Sequence, residues 1–180
     1  MRIIWLVFTT LLLGLVLGRH WLQPRPPAPA EATPVRAVAE RRPGPTPPLA
    51  DSVVRFALQQ RGAAYCYAGS SPATGFDCSG FVRYVFGHFG FDVPHSTALL
   101  IDVGRPVART QVRPGDIVVF TGTDPASTTP GHAGIIVSAL GALPLRFVHA
   151  SSARREPGVK VSQVEGSGYE ARFLEVRRVL

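Results

Sequence analysis

Apolar positions change period along this chain. Ile3 to Gly18 runs sixteen residues without a charge. From Leu49 the apolar residues recur at helical spacing, and beyond Ile117 they gather into short β-branched runs bounded by Gly, Pro and Ser. A first helix capped by Asp51 or Ser52 carries Val53, Val54, Phe56, Ala57 and Leu58 and ends near Gly62. A turn-forming stretch, Tyr65 to Pro72, leads through Gly75 into a second helix that begins at or next to Cys78. This helix sets Phe81, Val82, Val85, Phe86 and Phe89 on one face, with Arg83 and His88 left for the other. A short helix covers Thr97 to Asp102, and Arg113-Pro114-Gly115-Asp116 turns into a strand at Ile117 to Phe120. Further strands are expected at Ala133 to Val137, Leu145 to His149, Val159 to Val164 and Arg172 to Val179. Helices first and about five strands afterwards predict an α+β domain, its helices packed on a largely antiparallel sheet.

The chain of 180 residues has room for one such domain and extra segments, not for two of ordinary size. The uncharged run makes residues 1–22 a signal peptide or membrane anchor, with Trp21 at the interface and Arg19 snorkelling in the second case. Residues 23–48 hold nine of the seventeen prolines and little that could build a core. They read as a disordered tether reaching about 75 Å if polyproline-like. The folded domain is then 49–180. Its setting is expected to be the periplasm or cell envelope, by export or by anchoring to the inner membrane.

Net charge is +7, which invites a nucleic-acid reading. Six arginines against two glutamates fall before residue 49, leaving the rest of the chain a surplus of only three. No arginine-rich helix, zinc pattern or aromatic RNA-binding motif occurs, so nucleic acid is not an expected partner.

Candidate chemistry centres on Cys78. A thiol on the first turn of a helix lies near unpaired N–H groups and the positive end of the helix dipole, which favours its thiolate. A lone buried cysteine more often merely packs, so the reading needs partners. Two histidines stand on predicted strands, His132 opening Gly131 to Val137 and His149 closing Phe147 to Ser151. If those strands are neighbours, both imidazoles reach one end of the sheet. Thiolate, base and an orienting group are the set that nucleophilic acyl transfer requires.

Six segments then carry a resemblance: Tyr65 to Ser70, Gly75 to Val82, Val93 to Thr97, Pro114 to Val118, Gly131 to Ile135 and Phe147 to Ser151. In this order they resemble the motifs of the NlpC family, papain-like cysteine peptidases of bacterial cell walls. The resemblance implies a papain-like core and a monomeric, cofactor-free enzyme. It also implies hydrolysis of peptidoglycan stem peptides, at the γ-D-glutamyl–diaminopimelate bond or the D-alanyl–diaminopimelate cross-link. It makes Cys78 the nucleophile, His132 the base and His149 the residue orienting it. Tyr65 is implied in holding the oxyanion, while Asp77 and Ser79 line the substrate cleft.

Several positions depart from the family pattern. Tyr67 stands where tryptophan is usual, Ala68 replaces glycine, His95 replaces the common arginine, and Leu99 and Leu100 occupy a region where glutamine is common. Ser138 to Pro144 is longer than the usual hairpin. Cys66 is expected to pack beside Tyr65; a disulfide to Cys78 would abolish the chemistry. No C-x-x-C or H-E-x-x-H spacing supports a metal. The alternatives are a catalytically silent wall-binding member of the fold, a related papain-like amidase, or an effector aimed at rival walls.

Overall fold

The computed structural model describes residues 48–180 except Pro125. The expectations for a signal or anchor and for the tether lie outside the described residues. Among those described, no helix is long and apolar enough to cross a membrane.

Helix α1 spans Leu49–Gln59 and buries Val53 and Ala57. It starts earlier than the capping residues suggested. The Pro48 carbonyl accepts from the Asp51 and Ser52 N–H groups, so Asp51 sits inside the first turn, where a carboxylate favours the dipole. A small antiparallel hairpin, β1 (Ser70–Ser71) and β2 (Gly75–Phe76), then delivers the chain to α2 (Cys78–His88). The predicted apolar face of α2 is buried at Phe81, Val82, Val85 and Phe86, while Arg83 and His88 are exposed. The short α3 (Thr97–Leu100) follows, anchored by buried Val93 before it and Leu100 within it.

The remaining strands are β3 (Arg105–Val107), β4 (Ile117–Thr121), β5 (Pro130–Ile136), β6 (Arg146–Ser151), β7 (Gly158–Gln163) and β8 (Phe173–Arg178). They form one antiparallel sheet in the order β3-β8-β4-β5-β6-β7. The sheet therefore has six strands where about five were expected. The extra one, β3, is a three-residue edge carrying Pro106, too short and too polar to stand out.

Alternation divides the sheet into two packed faces. Ile117, Val119, Ala133, Ile135, Val148, Ala150 and Val159 meet the helices, joining Val53, Phe76, Phe81 and Phe86 in one core. Val118, Phe120, Ile136, Phe147 and Val176 form a second core on the opposite face, covered by Tyr169 and Phe173. Burial on both faces explains why Ile117 to Phe120 reads as a continuous apolar run. A buried pair locks β8 to the start of β4: Arg178 donates from Nε and Nη2 to the two Asp116 carboxylate oxygens at 2.7 and 2.8 Å. The same carboxylate accepts from the Arg113 N–H, so it also closes the turn that leads into β4.

Candidate active site

Asp77 is the residue that sets Cys78 in place. Its backbone is extended, and its carboxylate accepts from the Gly80 N–H at 2.7 Å, so it caps α2 and leaves Cys78 as the first helical residue. The Cys78 N–H, lying before the first intrahelical bond, has no helical acceptor. Backbone bonds from Asp77 N–H to the Gly69 carbonyl and from Cys66 N–H to the Phe76 carbonyl hold the preceding loop against this corner. Tyr65 pairs with Phe76 in an isolated bridge beside it.

The predicted helix-side residues fall together. Ser79 is buried and donates to Asp77 Oδ1 at 3.2 Å, which makes it a support of the cap. Burial raises the Tyr65 phenol above its ordinary value, and the nearby charges of Cys78 and Asp77 push it the same way, so this phenol remains a proton donor. The thiol itself contacts the Thr97 hydroxyl at 3.5 Å rather than an imidazole. Cys66 and Cys78 are both free, with the Cys66 sulfur directed at the Tyr67 carbonyl at 3.6 Å.

Strands β5 and β6 are neighbours, with Ile135 opposite Val148 and Ile136 opposite Phe147, and this register brings the two histidines together. His132 Nε2 lies 2.8 Å from His149 Nδ1. Gly134 makes the approach possible: a Cβ there would fall 2.7 Å from the Phe147 ring and 3.0 Å from the His149 Cβ. His149 is fully buried, and its Nε2 lies 2.9 Å from the Ser162 hydroxyl.

These contacts admit a proton arrangement that suits a base. If His149 carries its hydrogen on Nε2 and donates to Ser162, its Nδ1 is an acceptor for His132 Nε2–H. His132 Nδ1 is then left with a free lone pair, the form a base requires. Burial depresses both imidazoles, and positive charge adds to it, from Arg172 at His132 and from His132, Lys160 and Arg172 at His149: His132 is lowered to about 3 and His149 to about 2. Both rings are therefore neutral at rest.

Two residues that the sequence reading did not select complete the surroundings. Tyr169 lies face to face with His132 at 5.7 Å between centroids and edge-on to His149 at 5.4 Å. The Arg172 guanidinium sits 5.2 Å over the Tyr169 ring and donates to the Thr121 carbonyl. The Tyr169 phenol is raised chiefly by burial and also feels the Cys78 charge. α2 packs against β5 and β6, and the Tyr169 ring stacked on His132 is close enough to Cys78 to feel its charge, so the head of the helix lies near the histidine pair. Among the described residues, no group of three or more His, Cys, Asp or Glu side chains is gathered as a metal would need.

Comparison with known proteins agrees with this geometry. The model of the NlpC/P60 family matches residues 62–178. The chain is 36% identical over 143 residues to the Gamma-DL-glutamyl hydrolase of Bacillus subtilis, an alignment covering 78% of this chain and 32% of that protein. It is 37% identical over 113 residues to the Murein DD-endopeptidase MepS/Murein LD-carboxypeptidase of Escherichia coli K12, covering 62% and 54%. The chain thus spans about a third to a half of the length of these two relatives. A crystal structure of an NlpC/P60 family protein from Bacillus cereus superposes with a TM-score of 0.62 at 25% identity, over 74% of this chain and 41% of that one.

Proposed function

Because the chain belongs to the NlpC/P60 family, we propose that it is a cysteine endopeptidase hydrolysing an amide bond in peptidoglycan stem peptides. The bond is the γ-D-glutamyl–diaminopimelate link or the D-alanyl–diaminopimelate cross-link. The observation that carries the reading is the hydrogen-bonded pair His132–His149, with His132 Nδ1 unspent, on the strands against which the Cys78 helix packs.

The chemistry follows from those atoms. His132 Nδ1 takes the thiol proton as the Cys78 sulfur attacks the carbonyl carbon, and the carbonyl electron pair moves onto oxygen. The Cys78 N–H and the Tyr65 phenol donate to that oxyanion, each worth on the order of 3 kcal/mol in the transition state. Collapse breaks the C–N bond while His132 passes its proton to the leaving amine. A thioester remains, and water hydrolyses it as His132 again accepts and returns a proton, restoring the thiol. Throughout, His149 keeps the His132 ring in orientation, and Asp77 and Ser79 hold the helix head at the edge of the cleft. The thiol's turn toward Thr97 is consistent with a site that tightens only when substrate is bound.

The enzyme acts as a monomer, without a cofactor, outside the cytoplasmic membrane, exported or anchored through Ile3 to Gly18. Digestion of purified sacculi with mass analysis of the products tests the reading. Wild type is expected to release peptides cut at one of the two bonds, and Cys78→Ala to release none above a background at least about 10³-fold lower. Equal product from both proteins would overturn it. Sacculus binding without cleavage by wild type would replace it with a wall-binding role.

A further inference from the structure

His95 stands where the motif that the chain resembles commonly has arginine, and it lies against the cap of α2. Its Nε2 lies 3.0 Å from both carboxylate oxygens of Asp77. A carboxylate only accepts, so Nε2 carries the hydrogen in either charge state of the ring. The ring also presses on the first turn of α2: a Cβ at Gly80 would fall 2.8 Å from Nε2 and 2.1 Å from the Gly69 carbonyl oxygen. Two residues further on, the Thr97 hydroxyl meets the Cys78 sulfur. One short segment, fixed by buried Val93 and Leu100 on either side, therefore grips both the cap and the thiol.

We propose that His95 is a positioning residue for the nucleophile, acting through Asp77: it clamps the capping carboxylate and, when protonated, balances that carboxylate's charge beside the Cys78 thiolate. The inference rests on the reading of Cys78 as nucleophile. Asp77 serves two opposed ends. As a cap it orders the first turn, but as an anion on the adjacent residue it disfavours a thiolate. A cation on the far side of the carboxylate relieves the second effect and keeps the first. The side chains of His95 and Asp77 are only 22% and 14% exposed, so water screens the pair less than it would a surface pair. An arginine supplies its charge at every pH, whereas an imidazole supplies one only in its protonated form. The ionisable groups sharing this corner are Asp77 on the cap, Cys78 on α2 and Tyr65 on the bridge to β2.

The test compares wild type, His95→Gln and His95→Arg as full-length proteins. The rate of iodoacetamide labelling at Cys78 is followed by peptide mass spectrometry from pH 5.5 to 9, which separates it from Cys66, and kcat and KM are measured on muropeptides. Gln retains an N–H donor without the charge. Its labelling should be about three- to tenfold slower than wild type near pH 6 and equal to it near pH 9. His95→Arg should match wild type at pH 6 and label at least as fast at pH 8, with kcat following the labelling and KM nearly unchanged. Three superimposable pH profiles would overturn the proposal. A His95→Gln deficit of the same size at every pH, unrescued by arginine, would also overturn it by reducing His95 to a packing residue. Labelling does not require hydrolysis, so failure of all three proteins to cut muropeptides would sink the peptidase reading while leaving this comparison decisive.

Discussion

Asp77, Cys78 and Ser79 at the head of α2 differ physically from His132 and His149 on the sheet, although the proposed site draws on both. At the helix, Asp77 is answered locally by Gly80 and Ser79 within three residues, and the distant contacts, His95 on Asp77 and Thr97 on Cys78, come from one short segment. Cys78 there is partly exposed and owes its position to backbone geometry. On the sheet, the histidines are answered only by groups far along the chain, His132 by His149 seventeen residues away and His149 by Ser162 thirteen further on. They lie among Phe120, Phe147 and Tyr169, with ring centroids 4.7 to 6.1 Å apart. The difference teaches a division of labour. The helix end leaves a sulfur partly exposed, and the apolar sheet end keeps its imidazoles uncharged.

The hardest break in that comparison is His132→Ala. It removes the proposed base while leaving the helix end intact, so kcat should fall about 10²- to 10⁴-fold with KM little changed. Muropeptide kinetics check this, and a mutant losing less than tenfold would mean that the sheet end does not supply the proton transfer.

Acid sharpens the contrast next, because both sheet histidines stay neutral in the fold. Their native values, about 3 for His132 and about 2 for His149, lie below the roughly 6.5 of an unfolded histidine. The unfolded chain therefore binds more protons, and stability is fully present above about pH 6.5 and lost as pH falls toward 3. The slope approaches about 1.4 kcal/mol per pH unit for each histidine. Urea unfolding at pH 7, 5.5 and 4.5 should show this loss, and His149→Gln should flatten it. A wild-type stability that is constant across those pH values would contradict the buried neutral pair.

The same contrast explains what was legible in the sequence. Cys78 and its helix stand out because the motif is contiguous and the spacing of Phe81, Val82, Val85 and Phe86 reports one buried face directly. His132 and His149 were visible as strand histidines, but their contact depended on β5 and β6 being neighbours, which no local pattern states. Ser162 lies within Val159-Lys160-Val161-Ser162, where alternation places it on one face; only the pairing of Phe147 with Ser162 and His149 with Lys160 shows that this is the face of His149. Tyr169 and Arg172 come from the turn before β8, which carries no periodicity at all. Asp51 was misplaced as a cap for a related reason, since a proline carbonyl upstream took the role.

Ser162→Ala is the smallest perturbation and the most selective one. The proposed arrangement has the Ser162 hydroxyl, 2.9 Å from His149 Nε2, accept its hydrogen, which keeps His149 Nδ1 free to accept from His132. Without that acceptor, His149 is free to place its hydrogen on Nδ1. His132 Nε2 must then accept, its own hydrogen moves to Nδ1, and the lone pair that the proposed base uses is lost. Ser162 is partly exposed, so water replaces the hydroxyl in some molecules and limits the penalty. The expected result is a kcat about three- to tenfold lower at unchanged KM, a stability loss of about 1 kcal/mol, and recovery in Ser162→Thr. Imidazole nitrogen NMR reads the tautomers directly: the Nδ1–H form of His149 should grow in the alanine variant. If kcat falls while His149 keeps its Nε2–H form, Ser162 acts by packing alone, and the chain from Ser162 through His149 to His132 is not what selects the base.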